Sequence, residues 1–146
     1  MRSVIAVIIG ILIAFVVGSV IGTQVVLASV ESMGLDVTLA MRWSTSLSDL
    51  AGLSSRLLPL MAIALGSSWA LQIWLDRRKI VRASALWCVV VGAATVMVLH
   101  PALNLAFGVD VFAPARSLAG LAGQGLAGAL GGMAMSSFLG ASRTLQ

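Results

Sequence analysis

Four long apolar runs, separated by short polar breaks, organise the chain. Stretches free of Asp, Glu, Lys and Arg extend over Ser3–Val30, Leu57–Leu75, Ala83–Val109 and Ser117–Ser142, which are 28, 19, 27 and 26 residues long. A helix needs about 20 mostly apolar residues to cross a hydrocarbon layer of about 30 Å. Each run meets or nearly meets that length, and none shows the strict alternation of a barrel strand. Only helices and closed barrels satisfy the backbone in lipid. The pattern therefore predicts an all-α membrane protein, a four-transmembrane-helix bundle forming one domain over residues 1–146, with helices at about 3–30, 47–75, 80–107 and 114–141. The first run begins with Met1-Arg2, and Val26-Leu27-Ala28 has the look of a cleavage site. A secretory apolar core is only about 7–15 residues long, so this longer run reads as a retained first helix.

The polar breaks set topology. With the N-terminus inside, the inner segments carry Arg2, Arg77, Arg78, Lys79, Arg82 and Arg143, against Arg42, Arg56 and Arg116 outside. Six against three follows the positive-inside rule, so both termini are expected to be cytoplasmic. Glu31, Asp36, Asp49 and Asp110 then fall outside. Trp69, Trp74 and Trp87 lie near the inner helix ends, where an aromatic belt is expected. The first outer loop, from Glu31 to Arg56, is long. Within it Ser46-Leu47-Ser48-Asp49 has the form of a capping box, which would start the second helix near Leu47 and leave Pro59 inside it as a kink. Residues 35–43 read equally as a short strand-like piece or an interfacial helix.

Composition excludes a water-soluble domain. The chain is 60% hydrophobic and 10% charged, with a mean hydropathy of +1.08, whereas soluble domains carry about 25% charged residues. The net charge of +4 and pI near 11.2 do not indicate nucleic-acid binding, because the basic residues form no face or arm. Cys88 is the single cysteine, so no internal disulfide can form. The expected setting is a bacterial-type inner (plasma) membrane, with the lipid bilayer as the first partner and a homo-oligomer or a larger membrane complex as further ones. No cofactor is indicated. No cluster has metal-ligand spacing, and no nucleophile–base arrangement supports a catalytic site.

Small residues recur at helical spacing. The first helix carries Gly10, Ala14, Gly18 and Gly22; the fourth carries Ala119, Gly123, Ala127 and Gly131 on one row, and Gly120, Gly128 and Gly132 on the next. Helices in lipid associate by close packing, which small residues permit. These glycines are expected to pack the bundle, and the fourth helix also has small residues to spare for a second chain. Polar groups gather toward the outer half: Gln24, Arg56, His100, Asn104, Arg116 and, about 12 Å deeper than Arg116, Gln124. Intramembrane polar groups are costly and face interiors or cavities. Each also has a plain structural reading: the arginines as helix-end anchors, and His100 and Gln124 as interhelical hydrogen-bonding groups. Taken together, the six suggest an outward-facing pocket that binds or passes a small anionic or lipidic ligand. The competing expectation is an accessory subunit that packs its Gly-rich fourth helix against a larger complex. A membrane-embedded enzyme using acids of the outer loops has the weakest support.

Overall fold

A computed structural model describes residues 2–81, 84–108 and 112–143. Arg82 and Asp110, counted above for topology, lie outside the described residues. Among the described residues the chain is all helical: α1 (Arg2–Ser32), α2 (Leu39–Ser54), α3 (Leu57–Arg77), α4 (Ala85–Phe107), a 3-10 turn (Ala113–Arg116) and α5 (Leu118–Arg143). Helices α1, α3, α4 and α5 are each long and apolar enough to cross a membrane.

The largest departure from expectation is the second helix. It does not start at Ser46, and it is not one rod. Thr38 is the cap: its side chain accepts from the Met41 amide at 3.2 Å, satisfying a donor that the helix start leaves open. Ser46 lies in the middle of α2, buried against α1. Residues 35–38 are not helical, and helix begins at Leu39, so the strand-like alternative for 35–43 does not hold. The chain breaks at Ser55-Arg56, and α3 restarts at Leu57. Pro59 therefore occupies the first turn of α3, where its missing N–H has no intrahelical acceptor to lose. The capping-box motif misled because Ser and Asp also serve as interhelical hydrogen-bonding groups.

Other ends follow familiar chemistry. Ser84 caps α4 by accepting from the Trp87 amide at 3.2 Å, and α4 closes on Gly108, whose φ of 65° suits a residue without Cβ. At the end of α3 the Lys79 amide donates to Asp76 and the Ile80 amide to Leu75. That is the paired closure which places its turning residue in the left-handed region. Here the residue is Lys79, at φ 58°.

Small residues dictate the layout. Helix α5 lies between α1 and α4 and runs antiparallel to both. A Cβ placed on Gly10 would stand 2.8 Å from the Gly131 carbonyl of α5, and one on Gly92 would run into the Gly128 carbonyl. Lower down, Gly132 meets the Cys88 backbone. Helix α3 closes the bundle at wider spacing, touching α1 and α4. Its Trp69, fully buried, puts its indole between Gly10 and Gly92 and donates from Nε1 to the Cys88 carbonyl at 3.3 Å. Ser68–Thr95 (3.0 Å) and Gln72–Cys88 (3.4 Å) complete the α3–α4 pairing. The core around Trp69 comprises Ile11, Ala14, Phe15, Met61, Leu65, Val96 and Met135.

Candidate functional site

His100 and Asn104 stand one turn apart near the C-terminal end of α4, so they share a face. Between them Pro101 withholds a donor from the preceding turn, and the helix continues through it to Phe107. The returning chain brings Phe112 onto the His100 ring, with centroids 5.4 Å apart and planes inclined by 25°. Phe112 and Pro114 are buried there because Gly22 of α1 leaves them room: a Cβ at Gly22 would collide with the Phe112 ring. The 3-10 turn then delivers Arg116, and Ser117 starts α5 by accepting from the Gly120 amide at 3.0 Å.

These elements enclose an open cleft of about 700 Å³. Its polar lining is His100, Asn104 and Arg116, and its apolar lining is Pro101, Leu105, Phe112 and Ala115. An arginine at an apolar wall is suited to an anion, because its planar fork meets carboxylate or phosphate at two points.

Gln124 lies beside this cleft, fully buried. Its Nε2 donates to the Gly18 carbonyl at 2.8 Å, and the side chain also reaches the His100 ring. Gly18 makes this fit, since a Cβ there would come within 2.8 Å of Gln124 Oε1. Ser19 Oγ, next to Gly18 in the chain, is buried without a hydrogen-bond partner, which is uncommon in folded interiors.

The other two of the six residues go elsewhere. Gln24 turns to α2, where its Nε2 donates to Ser46 Oγ at 3.2 Å and its Oε1 accepts from Arg42 at 2.7 Å. Arg42 also pairs with Glu31 at 2.7 Å, and Thr23 donates to Asp49 at 2.7 Å. This second network straps α2 to the C-terminal end of α1. Arg56 is exposed at the break between α2 and α3, outside the cleft lining. The structure thus brings His100, Asn104 and Arg116 together, sets Gln124 beside them, and separates Gln24 and Arg56 from the group.

The residues that sequence reading missed are Phe112, Ala115 and Leu105. Phe112 carried a usable signal, as an aromatic two residues before Pro114 in the link between the last two apolar runs. The strap is hidden in the sequence because Ser46 and Asp49 have the spacing of a helix cap.

The expected packing glycines are nearly all internal: Gly10, Gly18, Gly22, Gly120, Gly128 and Gly132 are buried, and Gly123 is half-buried against Ile21. On α5 they are spent on α1, on α4 and, at Gly120, on Pro114. Among the described residues no group of three or more His, Cys, Asp or Glu gathers as a metal site would require. Comparison with protein-family models, with curated proteins and with solved structures finds no match to this chain.

Proposed function

We propose that the protein binds or passes a small anionic or lipidic ligand through the cleft between the outer end of α4 and the entry to α5. The observation that carries this reading is the joint lining of one cleft by Arg116, His100 and Asn104 beside apolar Leu105 and Phe112. A cationic and hydrogen-bonding side next to an apolar wall matches an amphiphile with a carboxylate or phosphate head. The cleft is lined by Leu105, which is 89% exposed and gives a chain an apolar surface to follow. The bias of Lys and Arg favours a cytoplasmic Arg77–Lys79 end, and in this reading the cleft faces outward across a bacterial-type inner membrane.

Native mass spectrometry after incubation with phosphatidylglycerol, a long-chain fatty acid, or inorganic phosphate tests the proposal. Arg116→Gln lowers retention of the acidic amphiphiles about tenfold, the effect of losing one charge-assisted hydrogen bond. Arg56→Gln, an equal charge change outside the cleft, leaves retention near wild type. Retention of inorganic phosphate alone would redirect the reading to a small anion. Equal retention by wild type and Arg116→Gln would remove it.

A second reading, an assembly subunit of a larger complex or a homo-oligomer, draws support from α2 rather than from α5. Leu39, Trp43 and Leu47 repeat at four-residue steps and are each more than 60% exposed, whereas the α5 glycines from Gly120 to Gly132 are occupied inside the bundle. A Trp43→Ser/Leu47→Ser variant that loses a partner in native purification would favour this reading.

A further inference from the structure

At the opposite end of the bundle α1 and α3 part company. A groove of about 310 Å³ opens between the two helices there. Val4 and Ile8 form one wall, Gly66 and Ala70 the floor on α3, and Trp74 and Arg77 the end. The small floor residues make it deep: a Cβ on Gly66 would meet only Ile11 Cδ1, at 3.9 Å. From Gly66 to Arg77 the helix rises about 16 Å, close to half of a hydrocarbon layer about 30 Å thick. The groove therefore has the length of one leaflet.

Charge decides what fits it. The apolar channel terminates at Arg77, Arg78 lies over the Trp74 ring at 5.4 Å, and Lys79 follows. Asp76 is the one acid in that stretch. Arg2 is exposed at the adjacent start of α1. An apolar trough closed by a guanidinium is complementary to an acyl chain that ends in a phosphate.

We infer that this groove is a binding site for an anionic phospholipid of the leaflet at the basic end, with one acyl chain between α1 and α3 and its phosphate at Arg77. The site is separate from the outer cleft in position and residues. A neutral lipid would fill the trough but gain nothing from Arg77. A free phosphate would gain nothing from the trough.

Trp74 reports on its own occupant. In a Trp43→Phe/Trp87→Phe background only Trp74 and the fully buried Trp69 remain. The protein is reconstituted in phosphatidylcholine vesicles with a minor fraction of either brominated phosphatidylglycerol or brominated phosphatidylcholine, because bromine on an acyl chain quenches indole at contact. Quenching by phosphatidylglycerol is expected to exceed that by phosphatidylcholine. Arg77→Gln is expected to cut that preference about fivefold, one basic residue's share of the attraction to an anionic lipid, and added salt to weaken it further. Gly66→Leu fills the trough and is expected to abolish the preference while leaving the unfolding temperature unchanged. Equal quenching by the two lipids in the parent protein would overturn the inference, and so would a preference that survives both Gly66→Leu and Arg77→Gln.

Discussion

Gly92 and Gly128 meet backbone to backbone, so the smallest addition at either site must push α4 from α5. Gly128→Ala is expected to cost about 1–3 kcal/mol, as overpacking does in tight interiors, read as a lower unfolding temperature in detergent. Gly52 has nothing within 4 Å of its would-be Cβ and lies inside α2, so Gly52→Ala is expected to stabilise by up to about 1 kcal/mol. The same substitution thus changes sign between two helical glycines according to what faces them. The sequence showed that the glycine rows pack something, because four-residue spacing puts them on one helix face. It could not show which face meets which helix, since Gly66 and Gly128 look alike in the sequence and differ only in their neighbours. Gln124 illustrates the same limit. Its depth was legible from its distance to Arg116, but its acceptor, the Gly18 carbonyl, lies 106 residues away in the chain.

At the scale of elements, α2 is held by polar side chains together with the partly buried Leu50 and Leu53, which pack against the core. Ser46 is its only buried residue, and its attachment to α1 runs through Thr23–Asp49, Gln24–Ser46 and Arg42 with Glu31 and Gln24. Partly exposed pairs of this kind contribute about 0.2–1 kcal/mol each, so the strap is weaker than the glycine seams. Arg42→Leu removes two of its links at once. Hydrogen exchange is expected to quicken in α2 about tenfold and to stay unchanged in α4 and α5; equal acceleration everywhere would mean that the strap holds the whole bundle. Lys79 gives a second test. A lysine in the left-handed turn after α3 costs about 1–2 kcal/mol of strain that glycine avoids, so Lys79→Gly is expected to raise the unfolding temperature. The four spans were legible because length and hydropathy are set by the bilayer, independent of tertiary contacts. The boundary between α2 and α3 was not, because Ser-rich sequence serves as cap, helix interior and break with little local difference.

For the whole molecule, the basic asymmetry makes a plain prediction about sides. In a Cys88→Ala background, cysteines at Gly34 and Gly108 are expected to react with an impermeant reagent added from outside, and a cysteine at Lys79 is not. The opposite pattern would turn the outer cleft toward the cytoplasm. All three positions are exposed, so reactivity reports sidedness and not burial. The cleft itself was half legible: His100, Asn104 and Arg116 were visible as polar residues at one depth, whereas the exclusion of Gln24 and Arg56 required the position of α2.

Helix α5, last of the four spans in chain order, is also the one between α1 and α4. During synthesis α1, α3 and α4 reach the bilayer before the element that joins α1 to α4 exists. Until then Trp69 of α3 can reach Gly10 and Gly92, but the rest of the glycine face of α1 and of the Gly92 face of α4 is left to lipid or to the insertion machinery. Assembly is therefore gated by the final helix. A ribosome-stalled chain ending before Leu118 should show α1 and α4 freely cross-linkable to lipid, and closure should appear abruptly once α5 has cleared the exit tunnel.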